Sequence, residues 1–460
     1  MIVGAGLGGL ATAFYLQRAD PSIDVTVVDP SDGAGGNTRS QRVNGFTMDM
    51  GPNGFLTNVP ACLDLVVDLG LRDEILPASG VSDRRYVYRD GGLVALPLSP
   101  GELLRTPLLS PAGRLRFLRE PLVAAAPNGR EESMYDFAAR RLGPEAAEAF
   151  VLPMVVGITA GDARHVSVDA LFPRLRAMER DYGSITRALL VSRREARAHR
   201  SDSGPGGRLT TLRGGGIGRL TMALAERLGE RLRLGVSAVT IQPGTPPWDR
   251  YRVSLSDGTT VGVDALVLAV PAHVAATLLR SMLPSLYNDL QAIPYASARV
   301  IALGYRRADI PRALDGFGFL VPRGQDVRIL GCLWSSVVFP DQAPDGMVAI
   351  RVIGGGVDDP EFATLGDGAA MGYVRADLRR TMGIRAAPTV TRQFRWPRAI
   401  PQYTLGHGDR VARIMRVLRS SPGLALTGNA YYGVALNDVV RDAHRVVAEL
   451  TGATSPRGLA

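Results

Sequence analysis

The sequence predicts an α/β fold with an added helical part (α/β + α), and three observations predict it. Residues 1–30 read as strand, glycine turn, helix, strand and acid: Met1-Ile2-Val3, Gly4-Ala5-Gly6-Leu7-Gly8-Gly9, an apolar helical stretch, then a strand ending in Asp29. Ala265-Leu266-Val267-Leu268-Ala269-Val270-Pro271 is a short continuous apolar run, as in a parallel strand buried on both faces. Over 300–353 strand-like segments follow one another with little helix between them, as in a second, mostly antiparallel sheet. Together these predict a Rossmann-like dinucleotide-binding domain, a mixed-sheet domain and a helical insert.

The first stretch organises the rest. Gly4 allows a tight turn, Gly6 lets a pyrophosphate approach the backbone, and Gly9 lets the helix pack closely on the strand. The helix N-terminus offers free N–H groups to phosphate. Asp29 falls twenty residues after Gly9, where a carboxylate accepts hydrogen bonds from a ribose hydroxyl. Only three residues precede Gly4, short for a central strand, so either that strand is clipped or the start lies upstream of Met1.

Two glycine-rich stretches follow, Gly33-Ala34-Gly35-Gly36-Asn37-Thr38-Arg39 and Met48-Asp49-Met50-Gly51-Pro52-Asn53-Gly54; each reads equally as a cofactor-facing segment or a plain turn. A helix is predicted over 61–71 and a strand over 84–89, turned by Asp90-Gly91-Gly92. Residues 93–126 are rich in Leu and Pro, with Arg105, Arg114, Arg116 and Arg119 spaced through them. That stretch reads equally as a membrane-docking surface or as one face of a helical subdomain. Ser133-Met134-Tyr135-Asp136 predicts a capped helix start, helical pattern runs to about Arg194, and 193–206 reads as an exposed loop.

Gly214-Gly215-Gly216-Ile217-Gly218 leads into a helix with Leu220, Leu224 and Leu228 on one face. A strand at 236–241 and a hairpin of 251–255 with 259–263 around Asp257-Gly258 come next. Strands are predicted at 300–305, 319–321, 327–333 and 348–353, then a helix at 362–382. A strand at 424–429 is followed by a terminal helix opening at Tyr432-Gly433-Val434-Ala435-Leu436-Asn437-Asp438, its positive end aimed forward. The domains read as 1–80, 206–275 and 392–460; 81–91 and 276–391; and the insert 92–205.

Composition excludes several classes. The 460 residues carry a net charge of +9, yet the chain holds no lysine; every basic residue besides histidine is arginine. No basic stripe is interleaved with aromatics, which argues against nucleic acid. Cys62 and Cys332 are isolated, so a reducing, cytoplasmic setting is expected. The five histidines (His165, His199, His273, His407, His444) stand singly, without metal-ligand spacing, and no metal is expected. No run long enough to span a bilayer and no secretory signal is present.

More specific strings lie further on: Gly157-Ile158-Thr159-Ala160-Gly161-Asp162, followed by Ser167 and Leu171-Phe172-Pro173; Gly316-Phe317-Gly318-Phe319-Leu320-Val321-Pro322; Ile400-Pro401-Gln402-Tyr403-Thr404-Leu405-Gly406-His407; and Gly433-Val434-Ala435-Leu436-Asn437-Asp438. With these the chain resembles, nearly end to end, the FAD-dependent protoporphyrinogen oxidases of the amine-oxidase-like flavoprotein superfamily. The resemblance implies FAD contacts at Gly4, Ala5, Gly6, Leu7, Gly8, Gly9, Asp29, Gly36, Asn37, Gly51, Pro52, Asn53, Gly54, Val239, Asn429, Val434, Ala435 and Leu436. It implies that Asn53 lies near the reacting carbon, that Arg85 docks a substrate propionate, and that Phe317, Leu320 and Val352 wall the tetrapyrrole.

The implied reaction is oxidation of a porphyrinogen to a porphyrin, with dioxygen as acceptor and hydrogen peroxide formed: protoporphyrinogen IX, or alternatively coproporphyrinogen III. Peripheral contact with the inner face of the cell membrane, a homodimer, and hand-off to a downstream haem-pathway enzyme are partners the resemblance leaves open. Two departures stand out. The superfamily usually has Glu where Asp29 stands and Arg where Gly33 stands, so weaker FAD binding in the same mode is expected. Many amine oxidases of the superfamily use a lysine near the flavin, and this chain has none; Tyr431 and Tyr432 keep an aromatic cage, and so an amine substrate, open. A desaturase and a non-catalytic flavin- or haem-binding protein are the other readings.

Overall fold

A computed structural model describes residues 1–126, 130–198 and 207–452. A five-stranded parallel sheet has the order Leu232–Leu234, Val27–Asp29, Ile2–Val3, Leu266–Leu268, Leu424–Leu426. Ile2–Val3 is central despite its two residues, because it is paired on both sides: Ile2 with Val27 and Val267, Val3 with Val28 and Leu268. The strand alternation divides the apolar runs between two layers. Ile2, Val27, Val267 and Ala425 face the helices Leu7–Ala19, Gly218–Leu228 and Leu436–Thr451. Val3, Val28, Leu268 and Leu426 face the other way, onto Ala272–Leu279, His407–Leu418 and a three-stranded antiparallel sheet of Ala238–Pro243, Tyr251–Leu255 and Thr260–Val263.

The second large sheet has seven strands in the order Val390–Pro401, Tyr295–Arg306, Met347–Gly355, Gly331–Leu333, Gly318–Leu320, Tyr86–Arg89, Gly92–Ala95. It is antiparallel except where Gly318–Leu320 runs parallel to Tyr86–Arg89. Helix Asp367–Met382 covers one face through Ala370, Val374 and Leu378. This sheet draws in two segments that the sequence reading placed elsewhere. Residues 392–401 pair with Tyr295–Arg306 rather than joining the parallel sheet, and Gly92–Ala95 pairs with Tyr86–Arg89 rather than opening the insert. The strand expected over 327–333 shrinks to Gly331–Leu333, because the Arg328 and Ile329 N–H groups donate to the Asp377 carboxylate (2.9 and 3.0 Å) instead of to a ladder. The helix expected over 362–382 is broken at Leu365 and Gly366.

The insert is helical, with Pro100–Arg105, Pro111–Leu118, Met134–Leu142, Leu152–Thr159, Pro173–Tyr182 and Ile185–Ala198 as its main elements. Ser133 caps its helix as expected, its Oγ accepting from Asp136 N at 3.0 Å. The polar stretch read as a loop from 193 is helical to Ala198; residues 199–206 lie outside the described residues. A buried ion pair, Arg141 with Glu120, both 0% exposed, anchors the insert, with Ser184 Oγ donating to Glu120 at 2.6 Å. Among the described residues no helix is long and apolar enough to cross a membrane.

Candidate active site

The glycine turn is built for close approach in two directions. Gly4 has φ +108°, and a Cβ there would lie 2.4 Å from the Ala269 carbonyl oxygen. A Cβ on Gly9 would lie 2.0 Å from the Gly4 carbonyl oxygen, so only glycine lets helix Leu7–Ala19 sit this low on the sheet. Gly6 is the opposite case: a Cβ there meets nothing within 4 Å. The helix behind it has no side-chain cap and no acidic residue in its first turn. Its leading N–H groups, including those of Leu7, Gly8 and Gly9, therefore face an open cradle suited to phosphate.

Three further segments converge on this turn. Gly35 N donates to Ala5 O at 2.7 Å, and Gly36, at φ +55°, would bring a Cβ within 3.3 Å of Gly6 Cα. Gly51 lies against Asn37, and Gly54 against Thr210: added Cβ atoms would be 2.2 and 2.4 Å from their carbonyl oxygens. Between them, after Pro52, the Asn53 side-chain amide nitrogen is buried without a hydrogen-bond partner. Gly8 lies beneath Gly428 and Val439, which brings the start of helix Leu436–Thr451 to the same place.

The other expected cofactor residues are placed less uniformly. Asp29 holds the turn itself: its two carboxylate oxygens accept from Ala5 N (2.7 Å) and Ser31 N (2.8 Å), where the sequence reading gave them to a ribose. Each oxygen keeps a second lone pair for a hydroxyl. Val239, 54% exposed, sits at the register shift between Ala238 and Thr240, a few residues beyond Val236, whose N–H donates to Asp29 O. The Asn429 carbonyl and the Gly433 N–H are both tied to the Tyr403 hydroxyl at 2.8 Å, which fixes the loop ahead of the terminal helix. Val434 is half-buried and Ala435 exposed, whereas the Leu436 side chain packs into the core, leaving its backbone as the available contact. The terminal helix is not a bare positive end: Asp438 Oδ2 accepts from Ala435 N at 3.2 Å.

On the seven-stranded sheet, alternation separates what the sequence reading had grouped. Tyr86, Phe319, Cys332 and Val352 lie on the face covered by helix Asp367–Met382. Val352, 0% exposed and paired with Cys332, is therefore a core residue and not a pocket wall. The opposite face carries Leu320, Gly331, Ile353 and Val300 in neighbouring positions, so Ile353, and not Val352, shares a face with Leu320. Leu320 reaches across to Gly157, where an added Cβ would be 2.8 Å from its Cδ2, beneath helix Leu152–Thr159. Phe317 is half-buried, and the Arg85 guanidinium lies 5.0 Å from its ring centroid. Arg85 is open to solvent and has no ion pair among the described residues, yet desolvation by its surroundings pulls the guanidinium below the usual arginine range.

One functional-looking residue escaped the sequence reading altogether. Arg351, 7% exposed on the same face as Ile353, donates to the Gly51 carbonyl at 2.6 Å. Asp49 lies nearby in the same interior, accepting from Ser40 Oγ (2.6 Å) and Gln342 Nε2 (2.9 Å). Burial lowers the arginine and raises the aspartate from their ordinary values. With Trp396 Nε1 donating to Met50 O at 2.8 Å, Arg351 clamps the 50–54 segment onto the second sheet. A lone charge inside Met347–Gly355 was the available signal. Of the two tyrosines, Tyr431 is buried while Tyr432 is exposed, its ring centroid 4.8 Å from the Arg445 guanidinium carbon.

Residues 7–451 match the family of flavin containing amine oxidoreductases. The chain belongs to that family. It is 32% identical to the human protoporphyrinogen oxidase, with 98% of both chains covered, and 27% identical to the coproporphyrinogen III oxidase of Bacillus subtilis (strain 168), with 98% of this chain and 97% of that one covered. A crystal structure from Exiguobacterium sp. 255-15, assigned by name as a protoporphyrinogen oxidase, superposes with a TM-score of 0.83 at 25% identity, covering 98% of both chains. The chain thus falls in the protoporphyrinogen and coproporphyrinogen oxidase branch, as the resemblance implied, and is an FAD-dependent oxidoreductase. The cradle fits that cofactor: open space at Gly6 and Gly428, uncapped N–H groups at a helix start, and an unpartnered Asn53 amide.

Proposed function

We propose that this protein oxidises a porphyrinogen to a porphyrin in haem biosynthesis, with dioxygen as the final electron acceptor and hydrogen peroxide as the second product. The observation that carries this reading is Arg85: an unpaired guanidinium over the Phe317 ring, on the sheet whose open face carries Leu320 and Ile353. A flat apolar macrocycle with a carboxylate tail matches that arrangement, and both groups of relatives are named for such substrates. FAD, when bound, supplies a two-electron acceptor for each of the three oxidations.

The chain's own residues act by position. Arg85 pairs with a propionate and fixes the macrocycle's orientation. Phe317 and Leu320, with Ile353, exclude water from its faces. The free Asn53 amide donates a hydrogen bond toward the site from the 51–54 segment, which Arg351 holds. No side chain positioned here is a strong base, and the substrate N–H proton leaves to water. Protoporphyrinogen IX is the first reading, because one unpaired arginine among apolar walls suits a substrate with two propionates. Coproporphyrinogen III is the second, on the strength of the Bacillus subtilis and Staphylococcus aureus relatives.

The helical insert exposes Leu98, Leu104, Leu115, Leu118 and Leu122 near Arg105 and Arg119, and we assign it the peripheral membrane contact. Co-sedimentation with anionic but not neutral vesicles is expected. The test of function is to mix FAD-loaded protein with each porphyrinogen in air and follow porphyrin fluorescence. The faster-converted substrate identifies the pathway step. Conversion of neither, with flavin bound, refutes the assignment.

A further inference from the structure

We propose that Arg39 is the cation that faces the diphosphate of FAD, and that it occupies the space which the absence of a side chain at Gly33 leaves free. A Cβ built on Gly33 meets one atom within 4 Å, the Arg39 Nη1, at 2.8 Å. A Cβ on Gly35 would lie 2.8 Å from Arg39 Cγ. The arginine stem therefore runs over Gly35 and its head rests on Gly33. Gly35 is bridged to Gly6, the residue with open space above it. Arg39 thus packs, beside Thr221, on the segment that is bridged to the cradle.

Among the described residues the guanidinium has no hydrogen-bond or ion-pair partner, and its Nε is buried. Asp29, the carboxylate of the adjoining strand, already accepts from Ala5 and Ser31. The segments that meet at the cradle, 4–12, 33–39, 51–54 and 427–437, contain no other charged side chain, and Asp438, next along the terminal helix, accepts from Ala435 N. A diphosphate seated on the uncapped helix start would meet backbone N–H groups and this one cation. A half-buried, unpaired arginine beside such a cradle is placed for bidentate phosphate recognition.

The geometry also makes positions 33 and 39 alternatives. Gly33 has an ordinary negative-φ backbone, so a side chain there is excluded by Arg39 alone and not by strain. A long cation at 33 fits once Arg39 is cut back.

The test measures binding rather than turnover. Apoprotein is titrated with FAD by flavin fluorescence, then with ADP and with adenosine as competitors. Arg39→Gln keeps bulk and removes charge. We expect its Kd for FAD to rise about ten- to hundredfold, the loss of one hydrogen-bonded charge contact. ADP should weaken as a competitor by a similar factor while adenosine is unchanged. Apoprotein thermal unfolding should stay as in the parent, since Arg39 has no protein partner to lose. The double variant Gly33→Arg with Arg39→Ala should recover most of the FAD affinity that Arg39→Ala loses. FAD and ADP affinities within twofold of the parent in Arg39→Gln overturn the proposal. So does an equal loss for adenosine, which would mean a distorted site. A double variant as weak as Arg39→Ala overturns the exchange between the two positions.

Discussion

Replacing Arg85 by alanine tests the substrate reading most directly, because this residue has so little to do for the fold. It makes no ion pair among the described residues, and its one side-chain contact of note is the Phe317 ring at 5.0 Å. Losing an exposed cation–π contact costs about 0.5–1 kcal/mol, so thermal unfolding should move little. A hydrogen bond to a charged group contributes about 1.5–3 kcal/mol to binding. Solvent still reaches Arg85, which favours the lower part of that range, or about a ten- to thirtyfold change. Arg85→Ala should therefore raise the porphyrinogen KM about ten- to thirtyfold with kcat nearly unchanged, and Arg85→Lys should recover part of the loss. The assay is porphyrin fluorescence under FAD saturation, run in parallel on the porphyrinogen and its propionate methyl esters. The parent enzyme should treat the ester as Arg85→Ala treats the acid. An unaltered KM, or a collapse of kcat at constant KM, refutes carboxylate docking by this arginine.

The two strand neighbours 352 and 353 should separate cleanly. Val352→Ala should destabilise the protein by about 2 kcal/mol, seen in urea unfolding, and leave KM alone, whereas Ile353→Ala should raise KM at nearly parental stability. Arg351→Met removes the donor to Gly51 and the cation near Asp49, so about 2–4 kcal/mol of stability and much of the FAD affinity should be lost together, by unfolding and by flavin titration. Desolvation acts to raise Glu120, but hydrogen bonds from Ser184, Arg141 and Thr186 outweigh it and bring it down to about 2. A carboxylate depressed in the folded state stabilises above its unfolded value of about 4.5, and that stability is lost as pH falls toward 2. Unfolding followed between pH 5 and pH 2.5 should show this slope in the parent and a flatter one in Glu120→Gln.

The first thirty residues were legible because the spacing of their glycines reflects both close backbone approach and an opening. Gly4 and Gly9 sit where a Cβ would strike a carbonyl oxygen, and Gly6 sits at the opening. The parallel strands were legible as apolar runs, since both of their faces are covered. The same property hides the phase of Met347–Gly355: nearly every residue is apolar, so period-two alternation leaves no trace, and nothing in the sequence speaks against the wall position that the resemblance implies for Val352. Only Arg351 marks the site-facing side, and a single arginine in an arginine-rich chain is easily passed over. Long-range pairing was invisible for a different reason. Nothing local in 390–401 says that its partner is Tyr295–Arg306, so proximity in sequence drew it to the wrong domain. The spacing that places a carboxylate at Asp29 does not reveal that its oxygens accept from Ala5 N and Ser31 N.

The strand Met347–Gly355 has a consequence for how this protein can change over time. Its residues alternate between the face packed under helix Asp367–Met382 (Val348, Ile350, Val352) and the opposite face, where Ala349 lies in a small core with Phe46 and Met48, Arg351 holds Gly51, and Ile353 is half-buried. Selection for abundance acts on Val348, Ile350 and Val352 and also on the buried Arg351, whereas the half-buried Ile353 is the position left for substrate choice under the proposed function. A saturation library of this strand should therefore track expression level at Val348, Ala349, Ile350, Arg351 and Val352, and which porphyrinogen is turned over at Ile353. Under the proposed function a lineage would retune its substrate through Ile353 at little cost in thermal stability, whereas a change at Arg351 would carry a stability cost of its own.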